Sequence, residues 1–124
     1  MAADKTTIGV TPPNAAFLEE ISEARYFEDQ MDAAKFALSL AIRSGEIPST
    51  ATGADTKWNV GSFDKDGKLR SLITTLFPEV ETPYRAIEHL LNIGLDIMRG
   101  HVLENGEVDL LALIEAGGAA EAGE

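Results

Sequence analysis

The chain of 124 residues contains no cysteine, only two histidines and no apolar run long enough to span a membrane. The lack of cysteine excludes disulfide bonds and thiolate metal sites. The N-terminus also lacks the basic and then apolar pattern of a signal peptide, so we expect a soluble cytoplasmic protein. His89 and His101 are not at the spacing of a metal-ligand pair, and neither a phosphate-binding glycine loop nor a nucleophile elbow is present. We therefore expect no bound metal, no cofactor and no catalytic activity.

Basic residues are scarce as well. The chain has 10 Lys and Arg against 21 Asp and Glu, which gives a formal net charge of −11. The excess is uneven, because residues 101–124 hold six acidic and no basic residues, whereas residues 51–100 hold seven acidic and six basic residues. The middle of the chain is almost neutral, so the overall charge does not exclude a nucleic-acid surface there.

The pattern of apolar residues predicts a mainly α-helical domain with two short strands. The stronger strand signal is Lys57–Phe63, which combines β-branched and aromatic residues, and the weaker one is Lys5–Thr11. The four main predicted helices cover about residues 14–24, 30–43, 68–76 and 83–99, and Asp109 is expected to cap a short helix over residues 109–115. Residues 1–116 should form a single compact domain, in which residues 1–5 are either frayed or a short lead into the first strand, and residues 117–124 should form a disordered acidic tail.

The two halves of the chain follow a similar pattern, which indicates an internal repeat. At an offset of 52 positions, the residues Lys5, Ile8, Gly9, Phe17 and Ile21 align with Lys57, Val60, Gly61, Leu69 and Ile73. With one insertion, the predicted cap Asp29 aligns with the predicted cap Thr82. Any two amphipathic helices can be aligned on their apolar positions, so chance similarity stays open as the alternative. A real repeat would consist of unit one at about residues 5–45, a linker at residues 46–56 and unit two at about residues 57–100. The strands of the two units would then pair as a two-stranded ribbon.

A unit of strand, helix, turn and helix resembles the ribbon-helix-helix family. The resemblance depends on Ile8-Gly9-Val10-Thr11-Pro12 before the first helix and on Phe27-Glu28-Asp29 before the alanine-rich second helix. Two units in one chain look like the tandem members of that family, and the first unit is also similar in layout to the small helical protein of the DNA phosphorothioation systems. The resemblance implies a two-stranded antiparallel ribbon that enters the major groove of double-stranded DNA, with a phosphate held at the start of each unit's second helix.

The resemblance also assigns roles to individual residues. The DNA-facing residues of the ribbon would be Lys5, Thr7, Gly9, Lys57, Asn59 and Gly61, and the phosphate clamp of unit two would be Thr82, Pro83, Tyr84 and Arg85. Lys and Asn side chains are able to read base edges. The alternative is that the two lysines are solvated at strand ends and that Asn59 has a role in a turn or at a strand edge. The clamp of unit one, at residues 29–31, departs from the family because Glu28, Asp29 and Asp32 surround it with negative charge.

Two classes of function therefore stay open. The first is a DNA-binding regulatory protein, such as a repressor or an antitoxin-like protein. The second is an acidic protein–protein interaction or oligomerisation module without DNA affinity. Its C-terminal helix would dock on a partner or on a second copy, and the alternative is that this helix simply docks on its own domain.

Overall fold

The computed structural model describes residues 4–24, 26–49, 53–106, 109 and 112–113. In these residues two strands and five helices follow one another as β1 (Thr7–Val10), α1 (Pro12–Glu23), α2 (Gln30–Arg43), β2 (Asp55–Asn59), α3 (Val60–Phe63), α4 (Lys68–Leu76) and α5 (Pro83–Asn105). The predicted mainly α-helical class is confirmed. No helix in the described part of the chain is both long enough and apolar enough to cross a bilayer.

The two strands come from opposite halves of the chain and pair in antiparallel fashion, which confirms the predicted two-stranded sheet. The paired residues are Thr7 with Asn59, Ile8 with Trp58, Gly9 with Thr56 and Val10 with Asp55. The register shifts between Ile8 and Gly9, and Lys57 is the residue that the pairing skips. Such a β-bulge bends the strand and changes the direction of the neighbouring side chains.

The second strand differs from its prediction. It begins at Asp55 and ends at Asn59, and residues 60–63 form the one-turn helix α3 instead of the second half of a strand. Asn59 is extended, and its Oδ1 accepts a hydrogen bond from the Ser62 N–H at 3.0 Å, which is the geometry of a helix N-cap. Phe63 is fully buried at the end of this turn and packs on Trp58 with ring centroids 5.2 Å apart. Val60 and Gly61 are therefore not structural counterparts of the strand residues Ile8 and Gly9.

Helices α2 and α5 form the centre of the core. The buried face of α2 is rich in alanine, as the sequence indicated, and the side chains that α5 buries are mostly larger. At the crossing point a Cβ on Gly94 would overlap the backbone carbonyl group of Ala37. The absence of a side chain at Gly94 therefore allows the two helix backbones to come into direct contact.

Helix α5 is longer than predicted. It continues through Gly100, where we expected it to end, and stops at Asn105 before Gly106, whose φ is +82°. A glycine inside a helix costs only about 1 kcal/mol relative to alanine, and Val102, two residues further on, still packs against the core. Packing of the last turns therefore offsets the poor helix propensity of Gly100.

The predicted C-terminal helix is described at three of its positions. Asp109 Oδ1 accepts a hydrogen bond from the Ala112 N–H at 3.0 Å, and Leu113 is buried. The other residues of that helix and the predicted acidic tail at 117–124 lie outside the described residues.

Candidate functional site

The outer face of the ribbon is formed mainly by β2. Strand β1 lies against α5, and its Ile8 and Val10 are buried, whereas four of the five residues of β2 are exposed. Thr7 Oγ1 lies 3.4 Å from Thr56 Oγ1, so these two side chains share the outer face. Besides the acidic Asp55, the exposed or partly exposed polar side chains of the two strands are Thr7, Thr56, Lys57 and Asn59, and we call these four residues the outer ribbon face.

Two of these side chains have local contacts that limit what they can bind. Lys57 Nζ lies 5.5 Å from the centroid of the Trp58 ring, over which it makes a cation–π contact. Asn59 uses Oδ1 to cap α3, so Nδ2 is its group for an external partner. A bidentate contact with adenine needs both atoms of the amide. As long as the cap is intact, Asn59 can therefore act only as a donor.

Lys5 and Gly9, which we expected on the outer ribbon face, contact α5 instead. Glu88 Oε2 accepts hydrogen bonds from Lys5 Nζ at 2.6 Å and from the Gly9 N–H at 2.7 Å. The Glu88 side chain is only 2% exposed, so it depends on these two donors to compensate for its burial. A Cβ on Gly9 would also lie 2.7 Å from the Asp55 carbonyl oxygen. The predicted outward direction of Gly9 is therefore wrong, because the position is enclosed between β2 and α5.

A buried amide pair continues this contact between the N-terminal segment and α5. Asn92 Oδ1 accepts hydrogen bonds from the Thr11 N–H and from Asn14 Nδ2, both at 3.0 Å. Asn92 Nδ2 donates to the Gly9 and Glu88 carbonyl oxygens at 3.1 and 2.8 Å. Asn14 Oδ1 accepts in turn from Arg99 Nε at 2.9 Å. These bonds satisfy the buried amides and hold β1 and the start of α1 in one position on α5.

The predicted phosphate clamp of unit two holds an anion from the same chain. Pro83, at the first position of α5, has no N–H, and the Thr82 side chain makes no capping bond. The Tyr84 and Arg85 N–H groups instead donate to Asp4 Oδ2 and Oδ1, at 2.9 and 3.1 Å. A carboxylate offers the same charge-assisted acceptors as a phosphate at a helix N-terminus. Phosphate binding at Thr82–Arg85 stays a prediction, and a phosphate would have to displace Asp4.

Asp4 and Lys5 agree with the second arrangement expected for the start of the chain, a short lead into the first strand. Both residues are in defined contacts with α5, although they precede the first strand. Residues 1–3 lie outside the described residues. The start of the domain is therefore anchored at least from Asp4 onward.

The side chain of Tyr84 contacts the start of α4. Its hydroxyl group donates to Asp64 Oδ2 at 2.9 Å, and the same carboxylate accepts from the Leu69 and Arg70 N–H groups at 3.0 Å each. Burial is the main cause that raises the pKa of Tyr84 above its ordinary value of 10.0, and the hydrogen bond to Asp64 adds to it. Tyr84 therefore connects the N-terminal ends of α4 and α5 through one buried aspartate.

The predicted clamp of unit one borders the outer ribbon face. Residues 29–31 line a groove together with Ser22, Lys57 and Trp58. Asp29 Oδ1 accepts a hydrogen bond from the Asp32 N–H at 2.8 Å and so caps α2 with a negative charge. The carboxylate of Asp29 therefore puts a negative charge beside the ribbon, as the sequence indicated.

The residues that organise this region were largely missed from the sequence. No role at this site was predicted for Asp4, Asn14, Asp64, Glu88 and Asn92. Glu88 and Asn92 lie on α5, and the other three residues are long-range hydrogen-bond partners of α5. One signal was present: at 100° per residue, Glu88, Asn92 and Arg99 fall on one stripe of α5 beside its apolar face. A polar stripe of this kind on a central helix predicts a buried hydrogen-bond network.

The described residues contain no group of three or more His, Asp or Glu side chains arranged to hold a metal ion. No protein-family model matches the chain, no curated protein matches it, and no solved structure matches it.

Proposed function

We propose that the chain is a non-enzymatic regulatory protein that binds double-stranded DNA through the outer ribbon face. The observation that supports this most directly is the antiparallel pairing of one strand from each half of the chain, with Thr7, Thr56, Lys57 and Asn59 on its outer side. A two-stranded ribbon fits the major groove of B-DNA. Hydroxyl, amide and ammonium groups are also suitable donors for base edges and phosphate oxygens.

The order of elements around the ribbon agrees with a tandem ribbon-helix-helix arrangement, which is part of the proposal. Strand β1 precedes α1 and α2, and strand β2 precedes α4 and α5. The short helix α3 is inserted between β2 and α4. The central contact between α2 and α5 joins the second helix of each proposed unit. In this arrangement the N-terminus of α2 lies beside the ribbon and near Lys57.

The charge distribution predicts weak binding. Lys57 is the one basic residue within the two strands, since Lys5 precedes β1 and pairs with Glu88. The logarithm of the DNA-binding constant falls with the logarithm of the salt concentration, with a slope of about −0.9 for each neutralised phosphate. With one or two phosphates contacted, we expect a slope between about −1 and −2. Binding should be detectable at low salt and largely lost at physiological salt.

Fluorescence anisotropy of a labelled duplex across a salt series tests this proposal. The double substitution Lys57→Ala with Asn59→Ala should abolish the low-salt binding. Lys65→Ala is the matched control, because Lys65 is exposed outside the strands and its loss changes the net charge by the same amount. A wild-type chain that leaves the duplex unbound at low salt, or an equal loss of binding in the control, would contradict the proposal.

A second candidate is an acidic protein–protein interaction module without DNA affinity. Two groups that a DNA interface would need are already bound within the chain, which favours this candidate. Glu88 neutralises Lys5, and Asp4 occupies the N-terminus of α5. The formal net charge of −11 also opposes DNA. The salt series separates the two candidates, because only the DNA-binding protein would raise the anisotropy of the duplex.

A further inference from the structure

Helix α4 has an apolar surface that the other described residues leave partly exposed. Leu72 and Leu76 are 42% and 45% exposed and lie four residues apart, on the same side of the helix. Ile73, in contrast, is fully buried and attaches α4 to the core. Leu76 also lines a groove with Ile47, which is 77% exposed, and with residues 77–80. We call Ile47, Leu72 and Leu76 the α4 apolar patch.

The two ends of this patch have opposite charge. Lys68 precedes Leu72 by four residues, so it lies on the same side of α4, and its side chain is 86% exposed. Its contact with Asp66, at 3.7 Å between two exposed groups, is a weak surface ion pair that a partner can replace. Glu79 and Glu81 are exposed beyond the other end of α4 and line the adjoining groove. Helix α4 itself contains no acidic residue.

We infer that the α4 apolar patch is the contact surface of a homodimer, in which α4 packs antiparallel against α4 of a second copy. A two-fold interface places the same surface on both subunits in opposite directions. When Leu72 contacts Leu76 of the second copy, Lys68 lies near the C-terminal end of that copy's α4, the end that the exposed Glu79 and Glu81 follow. Symmetry repeats this contact on the other side of the two leucine pairs. The charges at the two ends of the patch are therefore complementary only when the helices are antiparallel.

The small size of the patch predicts a weak and concentration-dependent dimer, since contacts at the low end of the size range for specific interfaces are commonly transient. The formal net charge of −11 adds repulsion between copies, which salt reduces. Association should accordingly be measured at physiological salt and at high protein concentration.

Sedimentation equilibrium of the full chain tests this inference. The mass should rise from 13.3 kDa toward twice that value as the concentration increases. Leu72→Asp should keep the protein monomeric, with circular dichroism showing an unchanged helix content. Leu72 is 42% exposed and is not one of the buried core residues, so this substitution leaves the core intact.

The charge arrangement has its own test. Lys68→Glu should weaken the dimer about tenfold, because it places three acidic groups together at each end. Combining Lys68→Glu with Glu79→Lys and Glu81→Lys should restore the dimer, since the complementary pairs are formed again with reversed sign. Lys65→Glu is the control for net charge and should leave the affinity close to that of the wild type. A monomeric mass at every concentration, or a triple variant as weak as Lys68→Glu, would overturn the inference.

Discussion

Asp4 Oδ2 accepts a hydrogen bond from the Tyr84 N–H at 2.9 Å and so joins residues 80 positions apart in the sequence. The other oxygen of the same carboxylate accepts from the Arg85 N–H at 3.1 Å. The residue that caps the longest described helix therefore comes from the opposite end of the chain. This contact stabilises the start of α5 and at the same time occupies the site where the ribbon-helix-helix resemblance puts a phosphate.

Replacement of Asp4 by alanine should lower the free energy of unfolding by about 1 kcal/mol, the usual effect of losing a charged helix cap. If the DNA-binding proposal is correct, the same variant should bind a duplex more tightly, because the N-terminus of α5 becomes available to a phosphate. Urea unfolding and fluorescence anisotropy measure the two effects. Glu19→Gln, an exposed change on α1 that also removes one negative charge, is the control. Equal gains in DNA affinity for both variants would show that only net charge matters.

Replacement of Glu88 by alanine should lower the free energy of unfolding by about 2–3 kcal/mol. The Gly9 N–H would lose its acceptor in a buried position, and Lys5 Nζ would lose its ion pair. A double-mutant cycle with Lys5→Ala, followed by urea unfolding, should give a coupling energy clearly different from zero. Glu81→Ala, at an exposed position, should change the stability little. Additive effects of the Glu88 and Lys5 substitutions would argue against the ion pair.

Two glycines of α5 should respond to the same substitution in opposite directions. Gly94→Ala should destabilise the protein by about 1–3 kcal/mol or more, because the added methyl group meets the Ala37 carbonyl group across the α2–α5 crossing. Gly100→Ala should stabilise it by about 0.5–1 kcal/mol, because the new Cβ meets no atom within 4 Å apart from the neighbouring backbone of α5, and alanine favours the helix. Thermal unfolding of the two variants measures the difference. A destabilised Gly100→Ala variant would show that α5 does not continue through residue 100.

Tyr84 should make stability depend on pH in the alkaline range. Its pKa is raised in the folded protein, mainly by burial, so the folded state holds the hydroxyl proton more tightly than the unfolded state. This contribution is fully present below the unfolded pKa of about 10 and is lost as the pH rises through the folded pKa. The free energy of unfolding should therefore fall more steeply above pH 10 for the wild type than for Tyr84→Phe. Parallel pH profiles of the two proteins would contradict the partly buried position of the Tyr84 hydroxyl group beside Asp64.

The helices show how far local sequence determines this fold. The starts of α2 and α4 were predicted at the observed residues, because a cap or a turn immediately precedes a regular apolar spacing. The second strand was predicted too late, because the cap formed by Asn59 outweighs the β propensity of residues 60–63. The end of α5 was predicted too early, because packing of Val102 against the core offsets Gly100.

The candidate site was predicted less well than the fold. Thr7, Lys57 and Asn59 do lie on the two paired strands, but Lys5 and Gly9 contact Glu88, and Gly61 belongs to α3. Strict alternation places Gly9 on the same side as Thr7, but the Gly9 N–H donates to Glu88 and the Asp55 carbonyl group encloses the position. Neither the bulge nor the partner on α5 leaves a signal in the strand residues themselves.

The sequence by itself determined the helical class, the two strands near residues 8 and 57, and the capped starts of the helices, because these depend on the spacing of neighbouring residues. Only the tertiary structure decided which charges stay available for a partner. Asp4 and Tyr84, Lys5 and Glu88, and Gly9 and Asn92 are each about 80 positions apart, and their distances follow from the packing of β1 against α5. Electrostatic and hydrogen-bond energies depend on distance in space, so the pattern of exposed and neutralised groups follows from the folded chain alone.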